Sequence, residues 1–263
     1  MPLIEYTIDS NGVADVRLNR PEKRNALTME LLKAIVESGE ILANTKGLRA
    51  VVLSGNGQAF CAGLDLSNFT DPQGVKSIPL AERTHGNANL FQQTAVIWRK
   101  LPVPVIAAIH GTCFGGGLQI AAGADIRIAA PDASLCIMEM KWGLVPDMGH
   151  FALWRGIVAE DVLRSLTYSN QIFTGTQAQA HGFVTTISDD PLTAAKLLSA
   201  DIAMRNPDAI RATKFLFNSC PSLSFDEILQ AESHAQAPLL GSANQMEAVM
   251  SQMQKRPAQF IDP

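Results

Sequence analysis

Residues 101–130 read LPVPVIAAIHGTCFGGGLQIAAGADIRIAA: an apolar β-type run, a turn with three consecutive glycines, a small-residue helix and a second β-type run. Gly115-Gly116-Gly117 falls where strand gives way to helix. Three glycines let the backbone turn tightly and let a ligand approach its N–H groups, at a helix end that favours negative charge. The alternation of strand, helix and strand argues for an α/β fold rather than separate all-β and all-α units.

The remaining pattern fits that frame. LIEYTI (3–8) and VADVRL (13–18) are separated by Ser-Asn-Gly and read as a hairpin. Thr28 is placed to N-cap a helix over 29–43, with apolar residues at 31, 32, 35, 36, 41 and 42. RAVVLSG (49–55) reads as a buried strand and PVIAAIH (104–110) as a second. The small-residue helix spans 116–124, and strands follow at 125–130 and 134–138. The polar stretch 67–89 lacks hydrophobic periodicity and is the candidate mobile segment. Beyond residue 145 the pattern predicts helices over 148–155, 158–168, 176–181, 192–205, 207–218 and 224–253, with one short strand at 183–187. Met246, Val249, Met250 and Met253 recur at helical spacing, a stripe for packing or for contact with another subunit. No low-complexity linker or constant-period repeat divides the chain.

Composition narrows the function. With 47% hydrophobic and 17% charged residues, the 263-residue chain can bury a sizeable core. A net charge of −4 argues against a nucleic-acid clamp or an anionic-membrane binder. The apolar run Leu101 to Ile109 is about half of the roughly 18–20 residues that span a bilayer, so no membrane partner is expected. Cys61, Cys113, Cys136 and Cys220 form no CxxC and are expected as free thiols in a reducing compartment. The opening MPLIEYTIDSNG lacks a basic segment followed by an apolar one, so a cytoplasmic protein is expected. His85, His110, His150, His181 and His234 have no metal-ligand spacing, and no metal is expected.

Two phosphate-binding readings of the glycines fail on spacing. GxGxxG would need glycine at 120, where Ile120 stands, and a P-loop would need Gly-Lys-Ser/Thr. Gly111-Thr112-Cys113-Phe114-Gly115 fits a cysteine form of the nucleophile elbow, with Asp147 and His181 or His234 as nominal partners. The alternative is a buried, inert cysteine. Phe60-Cys61-Ala62-Gly63-Leu64-Asp65 is a second small-residue turn after a strand. It reads either as a capping turn or as the source of an exposed N–H that converges with one from Gly116. Two amides aimed at one point make an oxyanion hole, worth roughly 100- to 1000-fold in rate per donor.

Several longer motifs occur in one order along nearly the whole chain. They are Arg20-Pro21…Asn25-Ala26-Leu27, FCAGLD at 60–65, the triple glycine, and Ala133-Ser134-Leu135…Glu139…Gly143-Leu144-Val145-Pro146. Phe173-Thr174-Gly175…Ala178…Gly182-Phe183-Val184 and KRPAQF at 255–260 complete them. In this order they resemble the crotonase (enoyl-CoA hydratase/isomerase) superfamily. The resemblance implies a ClpP/crotonase-like spiral of ββα units. Residues 1–200 would form the core with a CoA-thioester site, and 201–263 a helical region that builds a homotrimer or homohexamer. It further implies that the N–H groups of Leu64 and Gly116 hold the thioester oxygen, with Ala62, Gly63, Asp65, Leu66 and Gly115 around it. Arg24 and the backbone near Ala26 would meet the CoA nucleotide, as would Lys255 and Phe260 from a neighbouring subunit. Trp142 would line the acyl site. No cofactor is implied, since coenzyme A is part of the substrate.

Hydratases of the family place one glutamate at the second residue after the triple glycine and another about twenty residues on. Here these positions hold Gln119 and Glu139. Gln119 can orient a water or a carbonyl but cannot exchange a proton at ordinary pH. Glu139 stands among Cys136, Ile137, Met138 and Met140, a setting that raises a carboxylate pKa towards a useful range. Asp147, eight residues on, reads as a second pocket carboxylate or as a helix N-cap. The Glu-then-Asp order resembles both the dienoyl-CoA isomerases and the 3-hydroxyisobutyryl-CoA hydrolases of the family. The expectation is an enzyme acting on an unsaturated acyl-CoA through an enolate, with isomerisation ranked above hydration because Gln119 replaces one glutamate. Hydration, thioester hydrolysis through Glu139 and Asp147, and a non-catalytic CoA-binding role stay open.

Overall fold

The computed structural model describes residues 1–65, 67 and 79–263. Leu66, expected beside the substrate, and residues 68–78 of the candidate mobile stretch lie outside the described residues. Strands β1 (Ile4–Ile8) and β2 (Val13–Leu18) form the expected antiparallel hairpin, with Ile4 opposite Leu18 and Ile8 opposite Ala14. The Asp9 carboxylate closes the turn by accepting from the amides of Asn11 and Val13. Helix α1 (Met29–Ala43) starts where expected because Thr28 Oγ1 accepts from the Leu31 amide.

From here the chain repeats. β3 (Ala50–Gly55) and β4 (Ala59–Cys61) precede α2 (Leu90–Lys100). β5 (Val105–Ile109) and β6 (Thr112–Phe114) precede α3 (Gly116–Gly123). β7 (Ile126–Ala129) and β8 (Ser134–Cys136) lead through a 3-10 turn, Glu139–Trp142, to α4 (His150–Leu153) and α5 (Glu160–Ser169). β9 (Phe173–Thr174), α6 (Gly175–Ala180) and β10 (Thr186–Ile187) follow. The first strand of each unit joins a six-stranded sheet in the order β1-β2-β3-β5-β7-β10, and the second joins a four-stranded sheet, β4-β6-β8-β9. This is the spiral of ββα units that the resemblance implies.

The central strands are apolar throughout because both faces of their sheet are covered. Val52, Ile106, Ala108 and Ile128 pack with Ala195 of helix α7 (Pro191–Ala203) on one face. Val51, Leu53, Val105 and Ala107 alternate onto the other face and join Leu31 and Trp98 in the main core. Helix α8 (Pro207–Ser219) is pinned to this body by buried Lys214, whose Nζ donates to the Asp125 carboxylate and to the carbonyls of Trp98 and Val103.

Four local features differ from the sequence reading. Helix α2 was not anticipated; Asn89 and Gln92 cap it reciprocally, each side chain accepting from the other's amide. Residues 224–253 form two helices, α9 (Phe225–Gln236) and α10 (Ala243–Met253), because the chain turns at Gly241, whose φ is +73°. The helix predicted over 148–155 is only the single turn α4, and the strand predicted over 183–187 shrinks to β10. Among the described residues, no helix is long and apolar enough to cross a membrane.

Candidate active site

A cavity of about 610 Å³ opens where the loop after β4, the glycine turn before α3, the Glu139–Trp142 turn and the segment entering α4 meet. Of the expected catalytic residues, Leu64, Gly116, Gln119, Glu139 and Asp147 all line it. So do Ala26, Ala62, Gly63, Asp65, Gly115 and Trp142 from the expected binding set.

The two glycine-bearing turns are neighbours because β4 and β6 pair in parallel, with Cys61 opposite Cys113. Leu64 and Gly116 each follow three residues later. Gly63 makes the close approach possible. Its φ is +88°, and a Cβ there would lie 2.7 Å from the Phe114 carbonyl oxygen and 3.8 Å from the Gly115 Cα. On the other side, the Leu27 amide donates to the Gly63 carbonyl and the Asp65 amide to the Leu27 carbonyl. In such a parallel bridge the intervening residue turns its own N–H away from the partner strand, so Leu64 N–H faces away from Leu27. Gly116 supplies the first amide of α3, one of the donors that a helix cannot satisfy internally. Neither amide has a protein acceptor among the described residues.

Gln119, one turn into α3, is only 2% exposed. Its Oε1 accepts from the Met148 amide at 2.8 Å, and its Nε2 donates to Glu139 Oε1. Each end of the side chain therefore has a protein partner, while one N–H and one oxygen lone pair stay uncommitted by these two bonds. The second Glu139 oxygen, Oε2, is buried and has no partner among the described residues. Burial pushes the Glu139 pKa above its ordinary value; its own backbone amide, the Gln119 donor and the Met138 amide oppose this, and the nearby Asp147 charge adds to it. Glu139 also stands beside the glycine turn: a Cβ built on Gly115 would be 3.3 Å from Oε1.

Asp147 is half-buried on the cavity wall and burial raises its pKa as well. It is not a helix cap, because α4 is capped by Gly149 and no side chain accepts from its first turn. Asp65 is engaged by Arg20, whose hydrogen bond holds its carboxyl down at about 2.

Three expected contacts lie away from this cavity. Arg24 is exposed in a left-handed conformation (φ +50°) after the 3-10 turn Pro21–Lys23, and Lys23 lines the cavity instead. Lys255 and Phe260 belong to a tail held elsewhere on the chain, through Ile261 hydrogen-bonded with Asn244 and Asp262 paired with Arg49. Sequence reasoning also missed apolar wall residues, among them Leu80, Phe91, Leu144, Val145 and Met148. The reciprocal Asn89 and Gln92 cap was the available signal for the helix that carries Phe91.

The cysteine-elbow reading does not survive. Cys113 is completely buried inside the sheet, and burial pushes its thiol well above the ordinary value. It does not line the cavity, and neither does His181 or His234. A thiol there is protonated and sealed from substrate.

Comparison with known proteins agrees with this architecture. Residues 9–263 match the family described as enoyl-CoA hydratase/isomerase. The mitochondrial Delta(3,5)-Delta(2,4)-dienoyl-CoA isomerase of Mus musculus is 32% identical over 266 residues, covering 98% of this chain and 81% of that protein. A solved enoyl-CoA hydratase of Mycobacterium smegmatis is 26% identical with a TM-score of 0.86, covering 98% of this chain and 99% of that one. One from Bacillus anthracis, at 24% identity, shares the fold with a TM-score of 0.89 over 98% of both chains. With the spiral fold and a match along nearly its full length, the chain belongs to the enoyl-CoA hydratase/isomerase family and is an enzyme of that family, which acts on acyl-CoA thioesters.

Proposed function

We propose that this enzyme moves a double bond in an unsaturated acyl-CoA, a 3,5-dienoyl thioester first among its substrates, through an enolate held by the amides of Leu64 and Gly116. The observation that carries the reading is the engagement of Gln119 by both Glu139 and the Met148 amide. A two-carboxylate hydration site needs a second acid at that position, and a neutral amide that cannot exchange a proton fills it. Asp147 supplies a second carboxylate elsewhere on the same wall.

The Glu139 carboxylate takes the proton from the carbon next to the thioester. The C–H electron pair moves into the bond to the carbonyl carbon, and negative charge builds on the thioester oxygen between the two N–H donors. As that charge returns, the conjugated double bonds shift along the chain and the Asp147 carboxyl delivers a proton to the far carbon. One proton has then passed from Asp147 to Glu139, and exchange with solvent resets the pair. Burial and mutual repulsion both favour keeping one proton on the pair. Leu80, Phe91, Trp142, Leu144 and Val145 give the cavity the apolar wall that a hydrocarbon chain needs. The isomerase activity in the mouse relative's name supports the same reading.

The helices after residue 201 would form the oligomerisation region of a homotrimer or homohexamer. Phe215, Phe217 and Phe225 are 66%, 73% and 74% exposed, an apolar surface suited to a second copy of the chain. Lys255 and Phe260 would then reach a neighbouring subunit's substrate. Four free thiols accord with a cytoplasmic setting.

The test is a panel of 2-enoyl-, 3-enoyl-, 3,5-dienoyl- and 3-hydroxyacyl-CoA esters with products identified by mass. Isomerisation predicts a product of unchanged mass with a shifted double bond. Gain of one water, or release of free CoA, overturns it.

A further inference from the structure

We infer that Gln119 is a positioning residue that sets the register of both carboxylates, its one side chain bridging Glu139 and the backbone beside Asp147. The inference rests on the isomerase reading and concerns how that site is held.

The orientation of the Gln119 amide is fixed by its partners. A carbonyl oxygen only accepts, so the bond from Met148 N–H assigns Oε1 to that side and turns the NH₂ group towards Glu139. The donor then engages Glu139 Oε1 and leaves Oε2 buried without a hydrogen-bond partner among the described residues, so the two oxygens are not equivalent. The backbone amides of Glu139 and Met138 also favour the ionised carboxylate, and Gln119 is the side chain that joins them. Gln119 is buried on α3, a helix packed so closely on α2 that a Cβ at Gly123 would overlap the Ala95 carbonyl oxygen.

The same side chain reaches the second carboxylate through the backbone. Met148 follows Asp147 directly, and its amide ties that segment to α3. One neutral side chain thus spans from the base to the acid-bearing segment without adding a charge. A glutamate here would place a third carboxylate in the cluster, and a methionine would sever both tethers at nearly constant volume.

Few other charges bear on Glu139. Asp147 faces it from the segment before α4. From β8, Cys136 is a neutral thiol at about 11. From α4, His150 is neutral, its pKa lowered to about 4 by burial. Lys141 follows on the same 3-10 turn, and Asp65 across the cavity is paired with Arg20. The Gln119 donor favours the ionised form of Glu139, so removing it makes the base harder to ionise.

The experiment compares wild type with Gln119→Met and Gln119→Glu in two reactions across pH: isomerisation of a 3,5-dienoyl-CoA, and exchange of α-hydrogen for deuterium on a saturated acyl-CoA. In Gln119→Met the acid limb of kcat/KM moves to higher pH through loss of the donor, and in Gln119→Glu the two facing carboxyls share a proton, so the limb splits into two titrations. At neutral pH kcat falls about 10- to 100-fold while KM stays within about twofold, the pattern of a misaligned base. The nearly isosteric Gln119→Glu carries the test if Gln119→Met does not fold. An unmoved acid limb, or a change confined to KM, overturns the inference while wild-type isomerisation keeps the site reading intact. A wild-type enzyme that binds CoA esters yet neither exchanges nor isomerises overturns the isomerase reading and this inference with it.

Discussion

Arg20 and Asp65 share an ion pair across 45 positions of sequence, and Arg20 also donates to the Ala26 carbonyl at 3.0 Å. The pair ties the turn at the cavity mouth to the segment that carries Leu64. The Arg20 hydrogen bond holds Asp65 at about 2, below its ordinary 3.8. A carboxylate depressed in the folded state stabilises the fold above its unfolded pKa and loses that contribution as pH falls through its folded pKa. Asp65→Ala is expected to cost about 1–3 kcal/mol at neutral pH. In urea unfolding at a series of pH values, the gap from wild type should shrink between about pH 4 and pH 2. A gap that is constant with pH would contradict the assignment.

Cys113 is packed, not reactive. Cys113→Ser should leave kcat/KM within about twofold of wild type while lowering stability by about 1–3 kcal/mol, the cost of a buried hydroxyl. Iodoacetamide should leave the folded enzyme active. Loss of activity in Cys113→Ser without loss of fold would revive a thiol mechanism.

Asp147 lines the same cavity as Glu139 and holds the proton that the far carbon receives. Asp147→Asn keeps a neutral group in that place but one that gives up no proton, so α-hydrogen exchange at Glu139 should stay within about tenfold of wild type. Isomerisation should fall about 100-fold or more, because the far-end proton donor is gone. Exchange and isomerisation falling together would argue for a structural role instead.

Much of this was legible in the sequence, for identifiable reasons. Thr28 announces α1 because a side-chain cap is local chemistry, and the glycine turns announce close backbone approaches because only glycine fits Gly63. The joining of FCAGLD to the triple glycine needed only two strands in parallel register. Other features depend on distant partners. Gln119 reads locally as an amide on a helix; its partners lie 20 and 29 residues on, in segments placed only by the finished spiral. Asp147 looks like a cap because Pro146 precedes it, yet the capping position falls two residues later at Gly149. Helix α2 is hard to read because Gln92-Gln93-Thr94 in its first turns continues the polar stretch before it, although Asn89 and Gln92 mark the boundary.

The most direct test of the account is Glu139→Gln, followed by deuterium exchange at the α carbon of a saturated acyl-CoA. Because the Glu139 pKa is raised in the fold, ionisation costs stability as pH climbs from the ordinary 4.5 through the folded value. The neutral variant should therefore unfold at higher temperature than wild type at pH 7 while exchanging hydrogen at least about 100-fold more slowly. A stable variant that still exchanges at the wild-type rate would place the base elsewhere and contradict the mechanism.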